Sequence, residues 1–221
     1  MARSSTARRL DEDLGPRDAK QPAFGGGGPP APPIWSNAPI GSNAWVGVLM
    51  FLGAEAMFFA GLIGAYLVFR LGSPFWPPPF QPRLPVGVTG VNTLILVASA
   101  VTMRWSLKAV RANDREKSLR CLVYTAALGG TFLVIQGFEW LRLIHYGLTV
   151  SSSVYGGLFY TLIGFHGLHV FGALIWLLVV LRQAKQGRFL KQHHVGLQTC
   201  AMYWTFVVAL WPVLYGLVYL Y

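Results

Sequence analysis

Residues 44–69 read AWVGVLMFLGAEAMFFAGLIGAYLVF and contain one ionisable side chain, that of Glu55. At 1.5 Å per residue, an α-helix of this length is about 39 Å long, which exceeds the roughly 30 Å hydrocarbon core of a bilayer. Apolar side chains surround that helix, whereas a helix on the surface of a soluble bundle would present a polar face. This segment therefore predicts a membrane-spanning helix and decides the class of fold.

Four further segments of the same kind follow along the chain, and each is long enough to cross the hydrocarbon core. The composition agrees, because 54% of the 221 residues are hydrophobic and only 12% are charged, about half the charged share of a soluble domain. The sequence predicts an all-α membrane protein, a bundle of five transmembrane helices. The predicted spans are residues 44–69, 87–107, 119–145, 155–181 and 195–221.

Lysine and arginine residues are distributed unequally between the two sides of this bundle. The N-terminal tail carries five, the second connection six and the fourth connection four, against three on the opposite side. Because positively charged flanks stay on the cytoplasmic side of a membrane, we predict that the N-terminus is inside and the C-terminus outside. The net charge of +10 comes from these flanks and from no basic domain, so we expect no nucleic-acid partner.

Two stretches outside the spans have a distinctive composition. Residues 1–42 mix charges without apolar periodicity, and residues 25–33 are glycine and proline except for one alanine. We predict a disordered, Pro/Gly-rich cytoplasmic tail over 1–42, followed by one transmembrane domain over 43–221. The tail has no apolar run of the signal-peptide type, so we expect it to be retained. Residues 73–85, on the predicted outer side, include six prolines and predict a stiff connector.

Small residues recur at every fourth position of the first span, at Ala56, Ala60 and Gly64, and Gly61 and Ala65 form a second row. Such rows allow helices in a membrane to approach closely. They predict that this face packs against another helix.

Three ionisable side chains are predicted near the middle of the bilayer: Glu55, His166 and His169. An ionisable group at this depth is expensive and marks a candidate functional site. The two histidines are three residues apart and lie on the same side of their helix. We expect an intramembrane polar cluster in which Glu55 pairs with one histidine across a helix contact. For Glu55, a neutral packing acid and a proton-linked or lipid-contacting group both remain open.

The histidines are poor candidates for haem or metal ligands. Axial haem ligands come from opposite faces of the ring, and the remaining histidines, His145, His193 and His194, lie at other depths. A zinc or iron site would need a third ligand, for which only Glu55 is available at that depth. We therefore expect no catalytic, cofactor or metal site on this chain, and histidines whose hydrogen bonds are satisfied.

A second polar group, Glu139, Trp140 and Arg142, is predicted near the outer end of the third span. Glu139 and Arg142 are three residues apart and can pair on one helix face. Trp140 is typical of the membrane–water interface. The group is interpreted either as a salt bridge at the outer interface or as a contact for a phospholipid head group.

Four stretches carry a resemblance: GAEAMFF at 53–59, Asn92-Thr93 with Ser99, QGFEW at 136–140 and GFHGLHV at 164–170. In this order they resemble subunit III of the haem–copper oxidases, the family of cytochrome c and quinol oxidases. The likeness covers residues 45–221 and corresponds to the short, five-helix form of bacterial members.

The resemblance implies a non-catalytic subunit of a respiratory terminal oxidase. In that family the haems and copper belong to subunits I and II, while subunit III packs on subunit I, holds phospholipid and supports sustained proton uptake and turnover. The expected partners are therefore subunits I and II and phospholipids, in the bacterial inner (cytoplasmic) membrane. Glu55 matches the family's intramembrane carboxylate, and His166, His169 and Glu139 match other buried polar positions.

The last span departs from the family pattern. Thr205 and Val208 stand where the family usually has His and Asp, so two polar groups are missing. The departure leaves open an oxidase with an unusual electron donor and a subunit III-like accessory protein of a nitric oxide reductase. A membrane haem-b anchor and a small transporter are the remaining alternatives.

Overall fold

A computed structural model of the protein describes residues 40–76, 78, 84–186 and 195–221. The predicted tail lies outside the described residues except for its last three positions. The centre of the proline-rich connection and most of the fourth connection, with His193 and His194, also lie outside them. The expectations for these segments stay predictions.

Five α-helices follow one another, and each is long and apolar enough to cross a membrane. No strand occurs among the described residues. The all-α fold class and the five spans are therefore confirmed. The first four helices extend past the predicted spans, because polar residues at their ends continue the helical hydrogen bonding beyond the apolar segment. The helices are α1 (Ile40–Gly72), α2 (Val86–Arg111), α3 (Arg115–His145), α4 (Val154–Lys185) and α5 (Val195–Tyr215), which continues into a π-helix (Gly216–Leu220).

A tight turn reverses the chain between α2 and α3. Asn113 adopts a φ of 59°, in the left-handed region that asparagine tolerates. The side chain of Asp114 then caps α3 by accepting a backbone N–H of its first turn at 3.0 Å. Arg115 donates to the carbonyl oxygens of Ala184 and Lys185, each at 3.1 Å, which lack partners at the end of α4. The start of α3 and the end of α4 therefore lie on one side of the bundle.

The core of the bundle includes an antiparallel contact between α2 and α5. Trp204 Nε1 donates to Ser99 Oγ at 3.1 Å, and Trp211 Nε1 donates to Thr93 Oγ1 at 2.8 Å. All four side chains are buried. A buried polar group without a partner would destabilise the fold by about 1–3 kcal/mol. These two hydrogen bonds therefore fix the register of α5 on α2.

Two glycines make room for tryptophan rings between helices. A Cβ atom on Gly129 of α3 would lie 2.8 Å from Cζ2 of Trp204 and closer still to Cη2. A Cβ atom on Gly167 of α4 would lie 2.7 Å from Cη2 of Trp140. Real Cβ atoms do not approach ring atoms this closely, so the absence of a side chain at both positions sets the helix spacing.

Helix α1 is the least buried element. Only 6% of its most apolar 18-residue stretch is buried, whereas 33–44% of the corresponding stretch is buried in each of the other four spans. Ala56, Ala60 and Gly61 are exposed, and a Cβ atom on Gly61 or Gly64 would meet nothing within 4 Å. These rows are therefore largely exposed in this chain, because α1 turns larger residues, such as Phe59, inward, and their role as a packing face stays a prediction.

Candidate functional site: an intramembrane acid–histidine pair

Glu55 of α1 and His169 of α4 face each other across a helix contact. Glu55 Oε2 lies 2.8 Å from His169 Nε2, and the two side chains are 15% and 16% exposed. Alanine residues flank Glu55 on both sides, and alanine and glutamate both favour a helix. The expected pairing with one of the two histidines is thus present, and the partner is His169.

The second ring nitrogen of His169 defines its tautomer. Nδ1 lies 2.6 Å from the carbonyl oxygen of Phe165, one turn earlier in α4. A carbonyl oxygen only accepts, so Nδ1 carries the hydrogen and donates it. Nε2 then either accepts a proton from a protonated Glu55 carboxyl or carries a proton and faces a carboxylate.

The contact between Glu55 and His169 is short, but its geometry is not that of a hydrogen bond. The two atoms are 2.8 Å apart, yet Glu55 Oε2 has no hydrogen bond of normal geometry. The polar groups still attract each other, because electrostatic attraction depends on separation more than on the direction of the N–H bond. Two phenyl rings contact the imidazole: the Phe59 ring is edge-on at 5.1 Å and the Phe58 ring lies at 6.2 Å. Phe58 in turn packs on Phe165 at 5.2 Å.

His166 occupies a different environment, although it is only three residues away. It is fully buried and stacks on Trp211, with ring centroids 4.8 Å apart and an interplanar angle of 25°. The edges of Phe59 and Phe132 approach it at 6.4 and 6.5 Å. Neither ring nitrogen has a hydrogen-bond partner among the described residues. The expectation of satisfied hydrogen bonds is therefore wrong for His166, because aromatic rings occupy the positions where acceptors would be.

Polar side chains of α2 lie beside this aromatic group. Asn92 Nδ2 donates to the carbonyl oxygen of Phe132 at 3.1 Å. Phe132 in turn packs edge-on against Trp211 at 5.1 Å, and Trp211 bonds to Thr93. His166 is thereby connected through ring contacts to buried amide and hydroxyl groups, while the Glu55–His169 pair lies at the edge of the bundle near α1.

At the other polar group, Glu139 is buried and its Oε1 lies 3.8 Å from Arg142 Nη1. The Arg142 side chain is 52% exposed and its guanidinium lies 5.8 Å from the centre of the Tyr146 ring. The Trp140 ring lies against Gly167, and its Nε1 has no partner among the described residues. The predicted Glu139–Arg142 pair is present, and Trp140 also takes part in packing α3 on α4.

Thr205 and Val208, the two positions that depart from the family pattern, have different surroundings. Val208 is buried in the apolar core, and Thr205 lines an open cleft between α1, α2 and α5. In the described part of the chain, no group of three or more His, Cys, Asp or Glu side chains could hold a metal ion.

Sequence reasoning missed the tryptophan contacts. It assigned no partner to Trp204 or Trp211, although Ser99 and Thr93 lie six residues apart and the two indoles seven apart on their helices. Matching spacings of buried hydroxyl and indole groups were a usable signal. The stacking of His166 on Trp211 had no such signal, because it depends on how α4 and α5 cross.

Replacing Glu55 with glutamine should keep the contact with His169, because the amide can still donate to Nε2. Glu55→Ala should lower the free energy of unfolding by about 1–3 kcal/mol, since Nε2 then has no partner; the Gln variant should lose clearly less. Infrared difference spectra against the wild type should show the loss of the Glu55 carboxyl signal in both variants. Glu116→Gln, at an exposed acid, is the control. Equal destabilisation by Gln and Ala would contradict this account.

Five helices long and apolar enough to span a membrane, with an acid–histidine contact between the first and the fourth, define a multi-pass membrane protein. The family model for cytochrome c oxidase subunit III matches residues 37–221. The chain belongs to this family, which confirms the resemblance inferred from the four sequence stretches.

Similar proteins agree with this assignment. The "Cytochrome c oxidase subunit 3" of Synechocystis sp. is 41% identical over 175 residues, covering 79% of this chain and 74% of that protein. That of Thermostichus vulcanus is 37% identical over 176 residues, covering 79% and 86%. The "Probable cytochrome c oxidase subunit 3" of Nocardia farcinica is 36% identical over 176 residues with the same coverage. Family membership supports an accessory subunit of a respiratory oxidase.

Proposed function

We propose that this chain is the non-catalytic subunit III of a respiratory haem–copper terminal oxidase, which reduces oxygen to water and translocates protons. Haem and copper belong to subunits I and II, and this chain packs on subunit I and supports sustained proton uptake and turnover. Family membership supports the accessory role. The observation that carries the finer proposal is the Glu55–His169 pair, because it joins α1, the least buried helix, to α4.

Subunit I contacts this chain through α1. Ala56, Ala60 and Gly61 form an exposed strip of small residues, and large apolar side chains such as Met57 and Val68 are exposed beside it. Small residues let a second helix approach closely, where dispersion contacts stabilise association within a membrane. A helix that packs on this strip also contacts the segment of α1 that holds Glu55. The partner subunit therefore lies next to the Glu55–His169 pair.

The chain lies in the bacterial inner membrane with its N-terminus in the cytoplasm, in line with the distribution of lysine and arginine. Arg142 is half exposed at the end of α3 that faces away from the cytoplasm in this orientation. It binds the phosphate of an outer-leaflet phospholipid, while Glu139 restrains its guanidinium and Trp140 borders the same site. Phospholipid is thus a structural component of the subunit.

Co-purification of the full chain in mild detergent tests the assignment. We expect haem- and copper-containing subunits I and II, and oxygen consumption, to accompany the wild-type chain. Ala60→Leu should remove most of that haem, because its side chain fills the strip where the partner approaches. Ala127→Leu, at an exposed alanine of α3, should leave the complex intact. Haem retained by the chain alone, or equal effects of the two substitutions, would overturn the proposal.

The alternative of a nitric oxide reductase accessory protein has one supporting observation, which is the replacement of the family's His and Asp by Thr205 and Val208. The same purified complex separates the two. Nitric oxide consumption without oxygen consumption would favour the alternative.

A further inference from the structure

An open cleft of about 470 Å³ lies between α1, α2 and α5. Each helix contributes residues at two levels that are seven positions apart, which corresponds to about 10.5 Å along a helix axis. Trp45, Arg111 and Gln198 line the end nearer the helix termini, and Leu52, Arg104 and Thr205 line the deeper end. The cleft therefore runs parallel to the helices, as a lipid molecule does.

The charges of the cleft are of one sign. Arg104 and Arg111 are both exposed, and no acidic side chain is among its lining residues. Neither arginine has a hydrogen bond or ion pair with any described residue. Two guanidinium groups on one face of α2, neither with a partner among the described residues, therefore attract a phosphate, which arginine recognises through two parallel N–H donors.

The position of Arg104 favours a lipid phosphate. Helix α2 has 26 residues and is about 39 Å long, so about 4.5 Å extends past a 30 Å hydrocarbon core at each end. The Cα atom of Arg104 then lies roughly 6 Å inside the hydrocarbon, from which its long stem reaches up to the head-group level. Between the arginines and the deeper end, the walls are apolar side chains, including Leu107 and Met202.

We propose that this cleft binds one anionic phospholipid, with its phosphate on Arg104 and Arg111 and its glycerol and upper acyl carbons against the apolar walls. By the predicted orientation, the lipid belongs to the cytoplasmic leaflet, where basic pockets between membrane helices attract anionic head groups. This inference extends the phospholipid binding of the proposed function to a second site, on the opposite side of the bundle from Arg142.

Native mass spectrometry of the purified complex, titrated with phosphatidylglycerol or with phosphatidylcholine of the same acyl chains, tests this site. The double variant Arg104→Gln/Arg111→Gln should bind phosphatidylglycerol about 30-fold more weakly than the wild type. Lys108→Gln/Lys117→Gln removes the same charge from residues that line a different cleft and should bind as the wild type does. Phosphatidylcholine should bind weakly to all three.

Equal binding of phosphatidylglycerol by the wild type and the arginine variant would overturn the proposal. An equal loss of phosphatidylglycerol binding in the lysine variant would show that overall surface charge causes the effect, and this would also overturn the proposal. Loss of partner subunits from the arginine variant would identify the cleft as a protein contact instead. If the full wild-type chain purifies without haem–copper subunits, the proposed function fails, but the same titration on the isolated chain still decides the lipid site.

Discussion

Gly129→Val should strongly destabilise the bundle, because the position has no room for a side chain. The new side chain would overlap the ring of Trp204, since even a Cβ atom would lie 2.8 Å from Cζ2. Trp204 is 1% exposed and cannot move without breaking its bond to Ser99. Overpacking costs about 1–3 kcal/mol, and the broken buried bond adds about 1–3 kcal/mol. Thermal denaturation in mild detergent, followed by tryptophan fluorescence, measures this loss.

The neighbouring glycine provides the control. A Cβ atom on Gly130 would meet nothing within 4 Å, so Gly130→Val should change the melting temperature much less while having the same helix propensity cost. Trp204→Phe in the Gly129→Val background should recover part of the loss, because the smaller ring leaves space. A double-mutant cycle with additive effects would show that Gly129 and Trp204 do not interact as described.

An oxidase complex that lacks this chain should begin turnover at a near-normal rate and then lose activity, with a half-life several-fold shorter than that of the complete complex. In the proposed function, haem and copper remain in subunits I and II, so the initial chemistry does not need this chain. The surface of subunit I that packs on α1 loses its partner, and its working geometry is less restrained. Oxygen consumption recorded over many turnovers measures both the initial rate and its decay.

Two controls identify the source of the loss. Adding back the wild-type chain should restore the half-life, whereas the Ala60→Leu chain should not, because its contact strip is filled. The Glu55→Gln chain should restore assembly but only part of the durability, because its amide keeps the contact with His169 but carries no acidic proton. A complex without the chain that is as durable as the complete one would refute the supporting role.

Several site residues were predictable because membranes tolerate few ionisable groups. Glu55 and the two histidines stood out in apolar spans, and helix length placed them at similar depths. Sequence could not select His169 over His166, because the choice depends on the angle at which α4 meets α1. A difference of three residues rotates a side chain by about 60° around the helix axis, which moves His166 from the Glu55 side to the ring of Trp211.

The small residues of α1 show the opposite outcome. Ala56, Ala60 and Gly61 predict a packing face, yet these residues are exposed in the chain alone. A row of small residues specifies that a helix can approach closely, but it does not specify which helix. In the proposed function that helix belongs to subunit I.

The sequence by itself determined the number of spans, the all-α class and the family, because length, hydropathy and short motifs are local properties. It also determined which ionisable residues lie at membrane depth, because a charge in hydrocarbon is so unfavourable that few ionisable residues occur there. Only the tertiary structure decided that Glu55 meets His169, that His166 stacks on Trp211, and that Arg104 and Arg111 line one cleft with α1 and α5. These pairings depend on the rotation and crossing of whole helices, which arise from the packing of many side chains such as Trp204 against Gly129 and leave no local pattern in the sequence.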